Sequence, residues 1–305
     1  MQSSTNKADL PSPNLSVTVI IPAYEAAKTI GRALSSVATQ SVLPNEIIVI
    51  DDGSKDGTGK EAARVGRAIR GINFKLLTQN QGGAGAARNR GINEAKCAII
   101  AFLDADDEWL PKKLELSLKK LHETNSILVS HNYILCDGHG RETTVTKCEK
   151  NFLSNQDPYI SLYKKGYIAT SAVLANRNAI INAGGFNEKL PTGQDFSLWL
   201  SLLKKPGTRF HIFGEALVKY HVTAGSITSF TNRRLHCTLK IAKTFLPHLY
   251  GRQGLPILSF WYRILSVHYE AVTAHFRANR PMDAINICLK LPVNLILLTV
   301  SSKFN

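Results

Sequence analysis

The sequence predicts an α/β fold in which a doubly wound, mostly parallel sheet is followed by an all-helical C-terminal appendage. Three observations lead there. Apolar, β-branched runs at 16–21, 46–50, 74–77 and 98–103 alternate with amphipathic stretches, the βαβ rhythm of a parallel sheet. The longest run, Ala98 to Leu103, has no polar alternation, as expected of a strand covered on both faces. Beyond Gly225 the strand pattern stops and only helical periodicity remains.

Each element has a local reason. Ser16 to Ile21 is a strand stopped by Pro22, and Ala26, Ile30, Ala33, Leu34 and Val37 fall on one helical face after it. Glu46 to Ile50 is the second strand, ending in the turn-rich Asp51-Asp52-Gly53-Ser54-Lys55-Asp56-Gly57-Thr58, which leads into a helix to about Arg70. Phe74 to Leu77 is a third, shorter strand. A Gly-rich loop from Gln79 to Ala84 and a helix from Ala86 to Ala95 connect it to the fourth. After a helix from Pro111 to Glu123, Ile127 to Ser130 and Tyr133 to Cys136 read as strands, with a turn at 137–140. The stretch from Arg141 to Gly166 is polar and poorly periodic, as a substrate-covering loop often is. Ile168 to Leu174 reads as a strand, Arg177 to Ala183 and Gln194 to Lys204 as helices, and Arg209 to Phe213 and Ala216 to Val222 as short strands. Helices are expected over 234–249 and 257–278 and from Pro281 onward. The expected organisation is a disordered segment 1–15, a mixed domain 16–230 and a basic helical region 231–305.

Composition narrows the partners. The chain of 305 residues is 44% hydrophobic and 20% charged, ordinary for a globular protein, with a formal charge of +14. The last quarter is the most lopsided: from Thr231 on, ten Lys and Arg face only Glu270 and Asp283, which points to anionic partners. Five widely spaced cysteines without a C-x-x-C pair indicate reduced thiols in a cytosolic compartment. The first fifteen residues lack the apolar core of a signal peptide, and no uncharged apolar run is long enough for a spanning helix. The nearest, Leu291 to Val300, is interrupted by Pro292 and Asn294. Basic residues do not interleave with aromatics as in nucleic-acid modules, and no G-x-S-x-G elbow, P-loop or H-E-x-x-H pair is present.

The chemistry concentrates at Asp104-Ala105-Asp106-Asp107, directly after the fourth strand. Carboxylates packed this closely repel one another unless a cation or hydrogen-bond donors lie between them. In a parallel sheet the carboxyl edge is where ligands bind. A solvated acidic turn preceding a helix is the alternative. Gly83-Ala84-Gly85 is not a dinucleotide fingerprint, because it follows the third strand and Arg88 occupies the position that needs a small residue.

VTVIIPAYE, IIVIDDGSKDGT, NQGGAGAARNRGI, FLDADDEWLPKKLE and GGFNEKLPTGQDFSLWLSL, in this order between about Ser16 and Gly225, resemble the family 2 glycosyltransferases, inverting nucleotide-sugar enzymes of GT-A fold. The resemblance implies that Pro22, Ala23, Tyr24 and Glu25 line a nucleotide pocket and that Asp52 accepts the imide N–H of uracil. It implies that Arg88 lies near the nucleotide and its phosphates, and that Asp104, Ala105 and Asp106 form an Asp-x-Asp motif. There Asp106, with Asp104, would bind Mn²⁺ or Mg²⁺, and His221 would be a third metal ligand or touch the diphosphate. Asp195 corresponds to the catalytic base. The family's usual Glu-Asp pair is here Gln194-Asp195, and Ser201 stands where an arginine or lysine often closes the helix. Simpler alternatives for these residues are a strand stop with an aromatic plug at 22–24, a surface arginine at 88, a helix-dipole charge at 195 and a structural histidine at 221.

The implied function is metal-dependent, inverting transfer from a nucleotide sugar, in all expectation a UDP-sugar, to a hydroxyl of a glycan or lipid-linked acceptor in bacterial cell-surface polysaccharide assembly. A non-catalytic nucleotide-sugar-binding subunit of an assembly complex is the alternative, supported by Gln194 alone. The expected location is cytoplasmic, peripheral on the cytoplasmic face of an anionic membrane through the basic C-terminal helices. Packing of those helices on the catalytic domain or a second subunit is the competing expectation.

Overall fold

The computed structural model describes residues 16–146, 150, 152, 157–166, 168–222 and 231–301. Its first half is the expected βα alternation: β1 (Val17–Ala23), α1 (Ile30–Ala38), β2 (Glu46–Asp51), α2 (Thr58–Ala68), β3 (Asn73–Thr78), α3 (Ala84–Glu94) and β4 (Ile99–Phe102). These strands lie in the order β3-β2-β1-β4, all parallel, with Ile20 beside Ile48 on one side and Phe102 on the other. The chain winds outward from β1 to β3 and then returns to the far side of β1. The reversal opens a crevice at the carboxyl ends of β1 and β4, where the Asp104 cluster emerges. A close approach fixes α3 over the sheet: a Cβ on Gly91 would lie 2.6 Å from Ile20 Cγ2 and 2.9 Å from Ile50 Cδ1.

The second half is mixed. It comprises β5 (Glu108–Trp109), α4 (Lys113–Glu123), β6 (Leu128–Cys136), β7 (Glu142–Val145), α5 (Pro158–Lys165), a 3₁₀ turn (Thr170–Ala172), β8 (Leu174–Asn176), α6 (Arg177–Asn182), α7 (Gln194–Leu203) and β9 (Phe210–His221). The sheet continues β4-β8-β6-β9-β5, with β7 hung on β6. β8 runs antiparallel to β4 and β6, whereas β6 and β9 are parallel.

Several elements differ from the sequence expectation. The two short strands at 127–136 are one strand, because polar Ser130, His131 and Asn132 are buried in mid-sheet and do not end it. Likewise 209–222 is one strand, bridged across Gly214 by a register shift against β6. The strand expected over 168–174 is a 3₁₀ turn followed by the short β8, since Thr170 and Ser171 spend their hydroxyls on the site described below. Within the expected loop 141–166 stand β7 and α5, the latter capped by Asp157, whose carboxylate accepts the Tyr159 N–H at 2.8 Å. Cys148 and most of the segment 223–231 lie outside the described residues. Cys97, Cys136, Cys237 and Cys288 are free thiols.

Helices cover both sheet faces. On one, α1, α2 and α4 enclose Val19, Ile21, Ile47, Val49 and Leu114. On the other, α3, α5 and α7 share a cluster with the C-terminal elements α8 (Thr231–Phe245), a 3₁₀ turn (Leu246–Leu249) and α9 (Pro256–Arg277), through Phe245, Leu246, Phe260, Ile264 and Val267. A last helix, α10 (Pro281–Ser301), passes through Pro292 without ending. Polar bonds reinforce the apolar seam. The Tyr159 and Tyr163 hydroxyls donate to the Phe245 and Ala242 carbonyls at 2.8 and 2.6 Å. Arg252 forks onto Asp157 at 2.8 and 2.6 Å and also donates to the Leu203 and Lys204 carbonyls at the end of α7.

Between α4 and β6 lies a buried polar group. Lys113 Nζ sits 4.0 Å from the Trp109 ring centroid, and neither it, Ser117 Oγ nor His131 Nε2 has a hydrogen-bond partner among the described residues. Burial holds the lysine far below its usual range. Burial first, and then the lysine, push His131 down to about 3. The unfolded chain therefore takes up a proton near pH 6.5 that the folded chain refuses, so stability present above that pH is lost as pH falls toward about 3. Between pH about 7 and about 4.5 the wild type is expected to lose more stability than His131→Gln in urea denaturation, because only the wild type carries this linkage. Parallel pH profiles would refute it.

Candidate active site

The crevice at the carboxyl edge is walled by three loops. After β1, Tyr24 is 48% exposed, and Glu25 turns the chain in a left-handed conformation with φ 49°. The Glu25 carboxylate accepts the Lys55 N–H at 2.7 Å, while its own N–H donates to Ser54 Oγ at 3.0 Å. Pro22 and Ala23 are the last residues of the strand below. Thr58 and Asp56 accept the N–H groups of Ala26 and Ala27 at 2.7 and 3.0 Å. The loop after β1 is thus tied to the loop after β2 at several points.

At the end of β2 the two aspartates diverge. Asp51 folds back onto its turn, accepting the Ser54 N–H at 3.0 Å. Asp52, buried, accepts from Gln79 Nε2 at 2.7 Å and from the N–H groups of Gly82 and Gly83 at 2.8 and 2.7 Å. It therefore holds the Gly-rich loop in place at the start of α3. Arg88, on that helix, is not a surface residue: it is 8% exposed, with its guanidinium 5.3 Å from the Phe186 ring and Nη2 donating to Asp104 Oδ1 at 2.5 Å.

The acidic loop is held from every side. Asp104 N–H donates to Ser171 Oγ at 3.0 Å, and the same hydroxyl donates to Asp107 Oδ2 at 2.5 Å. Asp107 also accepts the His221 N–H at 3.1 Å, and Ala105 is buried in the turn between. Burial, and then the charges of Asp104 and Asp106, push the Asp107 carboxyl well above the usual range. The strain of packing acids at the end of one strand is thus concentrated on the innermost of them. His221 faces the loop from β9, with Nε2 3.7 Å from Glu108 Oε2 and no hydrogen-bond partner among the described residues. Burial and the nearby Arg32 lower its pKa, favouring the neutral imidazole, the form that can ligate a metal.

Asp195 opens α7. Its Oδ2 accepts from Thr170 Oγ1 at 3.2 Å. The neighbouring residue of the same 3₁₀ turn, Ser171, holds the acidic loop, so one turn orients both groups. Beneath it, Phe102, Phe186 and Trp199 form an aromatic triangle with centroids 5.4 to 6.2 Å apart, linking β4 to α7. Gln194 is explained locally. Its amide donates to the Leu190 carbonyl at 2.6 Å, and its side chain lies where a Cβ on Gly85 would come within 2.9 Å. A carboxylate could not make that donation, so the residue's identity follows from packing and does not argue for an inactive site.

Sequence reasoning missed Arg32, Ser36, Gln40, Thr170 and Ser171. Arg32 Nη2 donates to the Asp106 carbonyl at 2.5 Å, Ser36 Oγ accepts the Trp109 N–H at 3.1 Å, and Gln40 donates to the Leu110 carbonyl at 2.9 Å while accepting the Leu114 N–H at 3.0 Å. Spaced four apart, Arg32 and Ser36 on α1 and Gln40 just past its end, these three grip the chain that leaves the acidic loop. The signal was available as a polar i, i+4, i+8 row beside the apolar face.

Among the described residues no three His, Cys, Asp or Glu converge as a metal site by themselves. The donor set nevertheless fits a hard divalent cation completed by substrate, which commonly binds through one or two carboxylates plus phosphate oxygens. Asp104 and Asp106 are close enough to each perturb Asp107, and His221 Nε2 has no hydrogen-bond partner among the described residues.

Residues 18–184 match the family described as glycosyl transferase family 2. The chain is 31% identical over 215 residues to the Escherichia coli UDP-Glc:alpha-D-GlcNAc-diphosphoundecaprenol beta-1,3-glucosyltransferase WfgD, covering 70% of this chain and 79% of that protein. It is 28% identical over 250 residues to the amylovoran biosynthesis glycosyltransferase AmsB of Erwinia amylovora, covering 78% and 80%. Its fold is similar to that of S. aureus TarS 1–349 in complex with UDP-GlcNAc, with a TM-score of 0.67 at 17% identity over 92% of this chain and 82% of that one; it spans 44% of a longer TarS chain. It is also similar to the Pyrobaculum calidifontis mannosyltransferase PcManGT in complex with GDP-Man and Mn²⁺, with a TM-score of 0.61 at 19% identity, covering 96% and 89%.

Removing the Ser171 hydroxyl should uncouple the two halves of the site. Ser171→Ala leaves buried Asp107 Oδ2 without its hydroxyl donor, only the His221 N–H on Oδ1 remaining, and is expected to cost about 1–3 kcal/mol in urea unfolding, whereas Ser171→Thr, which keeps the hydroxyl, should recover most of it. Equal stability of the Ala variant and the wild type would refute this account.

Proposed function

The chain belongs to glycosyl transferase family 2, and from that premise we propose that it transfers a sugar from a UDP-sugar, with inversion at the anomeric carbon, to a hydroxyl of a lipid-linked or glycan acceptor in cell-surface polysaccharide assembly. The observation that carries the reading is the shared 3₁₀ turn: Thr170 holds Asp195, and Ser171 holds the Asp104 loop. An acid/base group and a diphosphate-facing acidic loop are thereby kept in one fixed relation, which transfer between two bound substrates requires.

In this reading Asp195 removes the proton from the acceptor hydroxyl as that oxygen bonds to the sugar's C1, and the C1–O bond to the diphosphate breaks on the opposite face. Thr170 orients the carboxylate for that step. Tyr24 offers an exposed ring to the base. Pro22, Ala23 and Glu25 shape the nucleotide end, and Asp52 does so by fixing the Gly-rich loop, its remaining lone pairs being available to the imide N–H. Arg88 sets the position of Asp104 and adds positive charge under the phosphates. Asp106, Asp104 and His221 would hold Mn²⁺ or Mg²⁺, with Ala105 shaping the turn. Such an ion neutralises charge building on the departing diphosphate. The Mn²⁺ in the PcManGT complex supports the metal. The UDP-GlcNAc in the TarS complex supports the donor class, and the diphosphoundecaprenol in WfgD's name supports a lipid-linked acceptor. Such an acceptor places the enzyme at the cytoplasmic face of a membrane, which the positive charge of 231–305 would favour.

Asp195→Asn should lower transfer by about a hundredfold or more while leaving UDP-sugar affinity in calorimetry unchanged. Chelation should weaken UDP binding in wild type and variant alike. Retained transfer by the variant would remove Asp195 as base, and metal-indifferent binding would remove the Asp104–Asp106 assignment.

A further inference from the structure

The C-terminal helices are not uniformly covered. α9 and α10 form an antiparallel hairpin: His275 lies by Asp283 near the turn, and His268 pairs with Asn294 Nδ2 at 3.0 Å farther along. The inner face of α9 is buried, with Phe260, Ile264 and Val267 in the main core. Its outer face exposes Leu258, Trp261 and Leu265, and α10 exposes Leu289, Val293 and Ile296. The spacing of three to four residues makes each set a continuous stripe. Trp261 is 42% and Leu289 70% exposed, and patches of such residues mark an interaction surface.

We propose that these two stripes form a wedge that inserts side by side into the headgroup and acyl boundary of a phospholipid bilayer, so that apolar burial, and not the basic charge alone, anchors the enzyme. This deepens the functional reading above, on whose lipid-linked acceptor it rests. Three observations favour lipid over a second copy of the chain. The flanks are cationic, with exposed Arg277, Arg280 and Lys290 against a lone acid on α10, Asp283, so face-to-face pairing would bring like charges together while an anionic headgroup layer would be attracted. Trp261 and Tyr262 are exposed on the α9 stripe, and such amphipathic rings favour the boundary between water and lipid. Finally, no helix among the described residues is long and apolar enough to cross a membrane, so the hairpin fits a helix pair lying in the interface.

The test is flotation of the full chain with phosphatidylcholine vesicles, with and without phosphatidylglycerol, at low salt and at about 1 M salt, where charge attraction is screened within a few ångströms. Wild type should float with both vesicle types and keep most of its binding at high salt. Leu289→Glu/Ile296→Glu should bind about tenfold more weakly under every condition, with an unchanged circular dichroism spectrum. Arg277→Glu/Arg280→Glu should lose only the extra binding to anionic vesicles. Failure of wild type to float, binding abolished by salt, or an apolar variant that floats like wild type would overturn the wedge. So would a wild-type dimer in sedimentation that the Glu variant converts to monomer without any vesicle binding. UDP binding measured on the same preparations separates the two readings: vesicle binding without nucleotide binding defeats the proposed function and leaves the wedge standing.

Discussion

Everything at the functional edge depends on confining three carboxylates within four residues at the end of a buried strand. Left to themselves Asp104, Asp106 and Asp107 would separate or melt the turn, because repulsion between partly buried charges outweighs the small gain from one loop's hydrogen bonds. The fold answers with a different device for each. Asp104 is paired with Arg88, Asp106 has its carbonyl held by Arg32, and Asp107 is buried, given two donors and shifted toward its protonated form. The cost of keeping Asp107 inside is offset by the position it enforces, since it ties the loop to both the 3₁₀ turn and β9. A loop so braced has the preorganisation that the proposed cation and diphosphate would need before either arrives.

The same economy extends to the opposite wall. In the proposed transfer Asp195 needs a defined distance from the acidic loop, and a helix N-terminus alone would not give it. The aromatic triangle of Phe102, Phe186 and Trp199 fixes the separation of β4 and α7, while Asn89 accepts the Phe186 N–H at 2.8 Å and so pins the Gly184-Gly185 turn between them. A side chain at Gly185, where φ is 69°, would place its Cβ 2.7 Å from Asn89 Oδ1. That position can only be glycine without moving the clamp.

The first half of the fold was legible because its signals are local: β-branched runs bounded by Pro22 and Gly53, and helices with an apolar face. The family motifs added the expected roles at 22–25, 52, 88, 104–106 and 195. What stayed illegible depends on distant partners. Ser130, His131 and Asn132 look like a strand break until β9 and α4 bury them. Thr170 and Ser171, in an apolar run, read as strand because the carboxylates that recruit their hydroxyls lie 25 and 64 residues away in sequence. α5 was hidden in a polar stretch because its buried face, Tyr159, Leu162 and Tyr163, finds its partners far along the chain, in α7 and the C-terminal helices.

Those helices are structural neighbours of Asp195 as well as the outer surface of the molecule. The Arg263 guanidinium on α9 lies 4.6 Å from the ring of Phe196, the residue after Asp195, and Arg252 grips the far end of the same helix through the Leu203 and Lys204 carbonyls. α7 is therefore held at both ends by the region beyond Thr231. A helix docked on its inner face against α7 and apolar on its outer face could transmit the orientation of a surface to the site without any hinge. If the outer face meets lipid as proposed, the acceptor hydroxyl of a membrane-bound substrate would approach Asp195 at an angle fixed by α9, and the geometry of transfer would be set by how the protein sits on its membrane.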